Sequence, residues 1–82
     1  MNQNDILQGI AEVLARQFHV SPQSVTREMT TYDVDGWDSV SHVYVLLDVE
    51  RRFAVKLPEE RVFQLDNVGD LVDLVAECSG RL

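Results

Sequence analysis

The apolar residues of this chain recur at intervals of three and four, the spacing of one face of an α-helix, and do not alternate with polar residues as in a half-buried strand. Start signals accompany this pattern in four segments: Asp38 or Ser39 can cap the second helix, and Pro58 lies near the start of the short one. We predict an all-α fold, a small bundle of three main helices and one short helix with a long loop after the first helix. The predicted helices run from 4 to about 19, from 38 or 39 to 53, from 59 to about 64, and from 67 to about 79.

Asparagine residues are expected to cap two of these helices: Asn4 the first, and Asn67 the last, where Asp70 returns the capping bond. Gly80 is expected to end the last helix. Residues 20–38 form a long connection in which Ser21-Pro22 predicts one short helical turn. Four apolar residues are expected to pin this loop to the core: Val25, Met29, Tyr32 and Val34.

The net charge is −7, and the segment from Glu28 to Glu77 holds twelve acidic residues against four basic ones. Such a field repels nucleic acid and anionic lipid. It indicates either a surface that attracts a partner with a basic patch or an acidic surface that only keeps the protein soluble, and charge alone does not separate the two. No apolar run approaches the ~20 residues of a membrane span. Cys78 is the only cysteine, and a lone cysteine is typical of a cytoplasmic protein. It shares an apolar stripe of the last helix with Leu71, Leu74 and Val75, which predicts that its side chain packs in the core. At 82 residues the chain predicts one domain, 1–82.

The hydroxyl of Ser39 stands at the predicted start of the second helix, after the turn Gly36-Trp37-Asp38. The free backbone N–H groups and the positive dipole end favour an anion such as a phosphate there. Catalysis by this serine is not predicted, because the G-x-S-x-G turn is absent and Asp38 lies beside the serine and not behind a histidine. For His42, one turn further on, we expect a packing role. The serine is interpreted as a residue that another protein modifies.

The run Asp33-Val34-Asp35-Gly36 has the composition of a calcium-binding loop. With Gly36 at the sixth position of such a loop, however, Thr31 and His42 occupy the first and twelfth positions, where carboxylates are required. We therefore predict no metal site.

The second helix carries more apolar residues than one buried face needs. Val45, Leu46, Val49 and Phe53 form a sufficient core stripe. A second stripe, rimmed by Asp48, Glu50 and Arg51, lies on roughly the opposite side. It indicates either a docking surface or a helix packed between two others, and the pattern leaves both open. The second stripe consists of Val40, Tyr44 and Leu47, with Val43 between the two stripes.

These residues resemble those of an acyl carrier protein over nearly the whole chain. The resemblance begins with Asp38-Ser39 and an aliphatic residue at the start of the second helix. It continues, without a gap, through Glu50-Arg51-Arg52-Phe53, the break at Leu57-Pro58-Glu59 and the restart at Asn67-Val68-Gly69-Asp70.

The resemblance implies that Ser39 receives 4′-phosphopantetheine from coenzyme A through a separate Mg²⁺-dependent phosphopantetheinyl transferase. The arm's thiol would hold acyl groups as thioesters for an acyl-loading enzyme and for ketosynthase, acyltransferase or tailoring enzymes, with the carrier itself a monomer. Together with the surplus stripe, it implies a docking face of Asp38, Val40, Val43, Tyr44, Leu47, Glu50 and Glu59. It also implies an interior that can take the acyl chain, lined by Val45, Val49, Phe53, Leu57, Val62 and Leu65.

Three departures from the family pattern bear on the pathway. Val40 follows the serine, where leucine is usual, and Tyr44 and Arg51 stand where fatty-acid carriers usually have acids. These differences favour dedicated partners, as in polyketide or other specialised biosynthesis, over a general fatty acid synthase. Trp37 is expected either to pack over the loop or to contact the arm.

Alternative functions remain at this point. Peptidyl carriers typically have histidine before the serine, where this chain has Asp38, so that subclass ranks second. A helical interaction module that is never charged with an arm ranks after it, and a small serine hydrolase ranks last. The initial methionine and the end just past the last helix fit a free-standing protein.

Overall fold

The computed structural model describes residues 2–79 and confirms the all-α prediction for them. Three long helices and one short one follow each other along the chain, with two 3₁₀ turns in the long first loop. The helices are α1 (Gln3–Gln17), α2 (Ser39–Phe53), α3 (Glu59–Val62) and α4 (Val68–Ser79). The 3₁₀ turns are Pro22–Ser24, which the sequence predicted, and Thr31–Asp33, which it did not.

The first helix is capped two residues earlier than predicted. Asn2, not Asn4, is the N-cap: its side-chain oxygen accepts from the backbone N–H of Asp5 at 2.9 Å. The Asp5 carboxylate lies 3.5 Å from the backbone nitrogen of Asn2 and completes a capping box. Asn4 carried the prediction because it precedes the apolar stripe, but Asn2 has the acidic partner three residues on.

Helix α1 packs against both α2 and α4, so the core lies between these three helices. The predicted core stripe of α2 is buried there, with Phe53 partly buried at its edge. Polar pairs tie the rim together: Arg52 meets Glu12 at 2.6 Å, and the Gln17 amide donates to Asp48 at 2.6 Å. The largest fully buried side chains are Ile6, Ile10, Leu14, Val45, Val49, Val68, Leu71, Val72, Leu74 and Val75.

The long first loop is held against the start of α4. The carbonyls of Arg27 and Met29 accept from the backbone N–H groups of Gly69, at 2.7 Å, and Val68, at 2.8 Å. The Arg27 guanidinium also meets the Asp73 carboxylate at 3.0 Å. Of the four predicted anchors, Val25 and Val34 are buried and Met29 is partly buried. Tyr32 was predicted wrongly, since it is 97% exposed.

The last helix begins as predicted, with one difference in its cap. The Asn67 side chain accepts from the N–H of Asp70 at 2.8 Å, but the Asp70 carboxylate accepts from Asp66, at 2.9 Å, and not from Asn67. Cys78 is half-buried on the core stripe, and the predicted stop at Gly80 lies outside the described residues. Of the helices described, none combines the length and the apolar character that crossing a membrane requires.

Candidate functional site

The start of α2 is fixed by a reciprocal capping box between Asp38 and Ser41. Asp38 Oδ1 accepts from the backbone N–H groups of Val40, at 3.0 Å, and Ser41, at 2.9 Å. The Ser41 hydroxyl oxygen in turn accepts from the N–H of Asp38 at 2.8 Å. The Asp38 predicted as a possible cap is thus confirmed in that role. The box gives the residue between its members, Ser39, a defined backbone position.

A tight turn before the helix depends on Gly36. Its φ of +90° lies in a region that residues with a side chain rarely adopt. Its carbonyl accepts a hydrogen bond from the Ser41 hydroxyl at 2.7 Å. The turn and the first turn of α2 are therefore one bonded unit, and Ser39 lies at its surface.

Ser39 is exposed, and within residues 2–79 its hydroxyl has no hydrogen-bond partner. The N–H groups that follow it are already bonded, those of Val40 and Ser41 to the Asp38 carboxylate and that of His42 to the Asp38 carbonyl at 2.9 Å. The expectation that free helix N–H groups would favour a phosphate here is therefore wrong for these three groups. What distinguishes this hydroxyl is that it is exposed and can be reached by another protein.

The hydrogen bonds at this helix start also act on the Asp38 carboxyl. Chiefly the bond from the backbone N–H of Ser41 holds the pKa of Asp38 below its ordinary value. Partial loss of hydration opposes this effect, and the bond from Val40 adds to it. Asp38 therefore keeps its negative charge beside Ser39 under mildly acidic conditions.

Trp37, His42 and the carbonyl of Val62 form a relay behind the serine. The indole N–H of Trp37 donates to Nδ1 of His42 at 3.1 Å, and Nε2 of His42 lies 2.9 Å from the Val62 carbonyl oxygen. Because indole can only donate and a carbonyl can only accept, Nε2 carries the imidazole proton. Both nitrogens are engaged, so His42 has none left to accept a proton from Ser39. The packing role predicted for His42 follows, and the hydrolase alternative loses its base.

Trp37 packs over the loop, as one of its two predicted roles required. It is buried and stacks on Phe18 with ring centroids 5.9 Å apart. On the other side of the relay, the His42 ring meets Phe63 edge-on, with centroids 5.6 Å apart. The relay thus connects α1, the loop before Ser39 and the end of α3.

A cleft of about 440 Å³ lies beside Ser39. Two of its lining residues, Tyr32 and Phe63, are large and exposed, at 97% and 63%. From the sequence, Tyr32 was expected to pin the loop to the core, and Phe63 was not singled out. The acidic, polar character of residues 28–35 was the available signal that Tyr32 lies at the surface. The cleft is lined by Thr31, Tyr32, Trp37, Asp38, Ser39, His42, Val62, Phe63 and Leu65.

The second apolar stripe of α2 faces outward. Val43, which lies between the two stripes, is exposed as well, and we call the four residues together the outward stripe of α2. Their exposed fractions range from 42% for Val43 to 67% for Val40, so the alternative of a helix packed on both sides does not hold for the described chain. Of the acids predicted to accompany it, Asp38 and Glu59 are exposed. Glu50 is half-buried, and its carboxylate accepts from the N–H of Leu57 at 2.7 Å, which gives it a structural contact.

Next to this stripe, a second groove of about 720 Å³ separates α2 from the segment that leads into α3. Its lining includes the exposed apolar side chains of Val43, Leu47 and Phe63 and the carboxylates of Glu59 and Glu60. Of the residues expected to line an interior for an acyl chain, Val45, Val49, Leu57 and Val62 are buried and Phe53 and Leu65 are partly buried. Among the described residues, no group of three or more His, Cys, Asp or Glu side chains is placed to hold a metal ion.

Comparison with known proteins agrees with this geometry. The family model described as Phosphopantetheine attachment site matches residues 8–75. The acyl carrier protein of Renibacterium salmoninarum is 31% identical over 74 residues, covering 90% of this chain and 91% of that protein. The meromycolate extension acyl carrier protein of Mycobacterium tuberculosis is 33% identical over 72 residues, covering 88% of this chain and 63% of that protein.

Among solved structures, the solution structure of a holo acyl carrier protein from Geobacter metallireducens superposes with a TM-score of 0.80. It is 32% identical and covers 92% of this chain and 86% of that one. The chain therefore belongs to the acyl carrier protein family: it carries acyl groups on a 4′-phosphopantetheine prosthetic group and has no catalysis of its own.

Proposed function

We propose that Ser39 is the residue to which the 4′-phosphopantetheine arm is attached. The observation that carries this proposal is the exposed, unpartnered Ser39 hydroxyl at the first position of α2. The capping box on either side holds its backbone, and the open cleft beside it gives an enzyme room to approach. The neighbouring Ser41 is a poor acceptor by comparison, since its hydroxyl bonds the Gly36 carbonyl.

In the attachment step, Ser39 Oγ forms a bond to the phosphorus that bears the pantetheine group of coenzyme A. The bond from that phosphorus to the nucleoside bisphosphate half of coenzyme A breaks, and the serine proton passes to a base of the transferase. His42 does not serve as this base, because both of its nitrogens are engaged. The attached group supplies a terminal thiol, which holds an acyl group as a thioester.

The outward stripe of α2 is proposed as the docking face for the transferase and the acyl-handling enzymes. Exposed apolar side chains in a row, beside a carboxylate that stays ionised, suit a partner with an apolar pocket and basic rim. The proposed face comprises Asp38, Val40, Val43, Tyr44, Leu47, Glu50 and Glu59, with Glu50 contributing through its half-buried carboxylate.

A specialised pathway, such as polyketide or related biosynthesis, is proposed over general fatty acid synthesis. Tyr44 and Arg51 lie on α2 where fatty-acid carriers usually have acids, and the Arg51 side chain is 79% exposed. The name of one relative, meromycolate extension acyl carrier protein, is consistent with a carrier that serves one particular pathway. The single cysteine, Cys78, supports a cytoplasmic location, because disulfides are rare in reducing compartments. The carrier is proposed to act as a monomer.

The direct test is the intact mass of the protein after incubation with coenzyme A, Mg²⁺ and a promiscuous phosphopantetheinyl transferase. We expect the mass to increase by one phosphopantetheine group. The Ser39→Ala variant should gain nothing, whereas Ser41→Ala, which removes the adjacent serine, should still gain one group.

The controls separate the alternatives. If the wild-type protein stays unmodified while circular dichroism shows an intact fold, the result favours an interaction module that never receives the arm. A mass increase in the Ser39→Ala variant would show that the arm is attached to another residue. Hydrolysis of a simple ester by the unmodified protein would support the serine hydrolase alternative.

A further inference from the structure

Six large apolar side chains of the described residues are exposed. Four of them form the outward stripe of α2, but Tyr32 and Phe63 lie outside it and line the cleft in which Ser39 stands. Exposed apolar patches, especially those rimmed by polar residues, mark sites of interaction with other proteins. We call Tyr32 and Phe63 the aromatic pair.

The backbone presents the first member of the aromatic pair in a fixed position. Tyr32 lies in the 3₁₀ turn Thr31–Asp33, which is closed by a capping box. The Thr30 N–H donates to the Asp33 carboxylate at 2.9 Å, and the Tyr32 N–H donates to the Thr30 hydroxyl at 3.2 Å. These bonds fix the backbone that carries Tyr32, while the ring itself is 97% exposed and takes no part in the packing of the fold.

The second member is oriented by a side chain of the site. Phe63 follows α3 and meets the His42 ring edge-on at 5.6 Å, with 63° between the planes. Because His42 is held by Trp37 and by the Val62 carbonyl, the exposed face of Phe63 has a defined direction. The Phe63 ring therefore offers a prepared surface at low conformational cost, and Tyr32 adds a freely accessible ring on a fixed backbone.

The charge around the aromatic pair selects the kind of side chain that fits it. Close to Phe63 in the chain, Glu59 and Glu60 are exposed and Arg61 is ion-paired with Glu77 at 2.8 Å. Residues 28–50, which contain Tyr32, include six acidic residues and no lysine or arginine. Within this segment Asp33, Asp35 and Asp38 are exposed. Arginine is the side chain that both stacks on an aromatic face and binds a carboxylate in the same contact.

We propose that the aromatic pair is a second docking surface, which binds arginine side chains at the rim of the phosphopantetheinyl transferase's active-site entrance. This inference rests on the proposed attachment at Ser39 and adds a partner contact to it. The α2 stripe and the aromatic pair would then contact the transferase together, with Ser39 in the joint surface.

The test compares steady-state arm transfer from coenzyme A, with Mg²⁺ and a promiscuous phosphopantetheinyl transferase, onto variants of the full chain. Tyr32→Leu keeps apolar area but removes the ring, and Tyr32→Phe keeps the ring. We expect Tyr32→Leu and Phe63→Leu to raise the KM for the carrier about two- to thirtyfold, the range for exposed to desolvated cation–π contacts, with little change in kcat. Tyr32→Phe should have the KM of the wild type. Added salt should reduce the difference in KM between the leucine variants and the wild type.

Gln8→Leu, on the exposed side of α1, is the matched control and should leave KM unchanged. Since Tyr32 has almost no contact with the fold, its replacement also tests the surface without unfolding the protein. A wild-type KM in Tyr32→Leu would overturn the proposal, and so would an equal rise in Tyr32→Phe. If the wild-type protein accepts no arm at all, the attachment proposal itself fails, and this one with it.

Discussion

The indole N–H of Trp37 donates to Nδ1 of His42 at 3.1 Å, which joins the loop before Ser39 to the body of α2. The opposite nitrogen of the same ring reaches the Val62 carbonyl at 2.9 Å, at the end of the one-turn helix α3. A single imidazole therefore holds the serine loop and α3 in one arrangement. Its removal would leave a buried indole donor without a partner.

We predict that His42→Leu destabilises the protein by about 1–3 kcal/mol, because it breaks both bonds and strands the Trp37 donor while it fills similar space. His42→Gln should recover part of this loss, since its amide can accept from the indole and donate to the carbonyl. Thermal unfolding measures the difference. Emission from Trp37, the only tryptophan, reports on the local change.

His19 provides the control for these histidine substitutions. It is exposed near the end of α1 and takes no part in the relay, so His19→Leu should leave stability within about 0.5 kcal/mol of the wild type. Equal stability of His42→Leu and the wild type would show that the relay contributes nothing to the folded state.

The helices and their buried stripes were predictable because periodicity reports directly which face is excluded from water. Val45 and Val49 recur at helical spacing and are fully buried, while Val40 and Leu47, on the other side of the same helix, are exposed. The cap at Asp38 was also accessible, since its residue type and position agree. These features are local, and the tertiary fold did not override them.

What the sequence could not supply depends on competition between neighbours or on contacts distant in the chain. Asn2 and Asn4 are equally good caps by type, and Asp5 decides between them. Tyr32 looks like a loop anchor until the 3₁₀ turn sets the direction of its side chain. The bond from His42 to Val62 spans twenty residues, and no periodic pattern encodes it.

Gly36 is predicted to be intolerant of side chains for reasons of backbone conformation. Gly36→Ala should cost about 1–2 kcal/mol, because φ is +90° there. Crowding is not the cause, since an added Cβ would lie 3.7 Å from the nearest Phe18 atom, an ordinary contact. Chemical denaturation measures the loss.

A chemically synthesised chain with D-alanine at position 36 separates these causes. D-alanine adopts positive φ readily, so its stability should return to that of the glycine protein or exceed it. If D-alanine and L-alanine were equally destabilising, steric crowding and not the sign of φ would explain the effect.

Asp38 gives a pH dependence of known sign. Hydrogen bonds, chiefly from the Ser41 N–H, lower its pKa in the folded state, so the charged carboxylate stabilises the fold. That contribution is fully present above the unfolded-state pKa and is lost as the pH falls through the folded-state pKa. Asp38→Asn keeps a capping oxygen without the charge.

The measurement is the stability of the wild type minus that of Asp38→Asn, followed by denaturation from neutral to strongly acidic pH. The difference should be constant at neutral pH and decline in acid, because protonation removes the advantage of the carboxylate. The subtraction cancels the titration of the other acidic residues. A difference that grows on acidification would mean that the folded state raises the pKa of Asp38.

Leu47→Glu tests the outward stripe of α2. Leu47 is 45% exposed, and its helix is anchored by the opposite face, so helicity and thermal unfolding should change little. A carboxylate in the centre of an apolar contact must be desolvated when a partner docks. We expect kcat/KM for arm transfer, and for acyl loading of the modified carrier, to fall about fivefold or more.

Gln8→Glu adds the same charge on the exposed side of α1 and should leave both rates unaltered, which assigns any loss in Leu47→Glu to the stripe itself. Equal rates for the two variants would place the docking face elsewhere on the molecule.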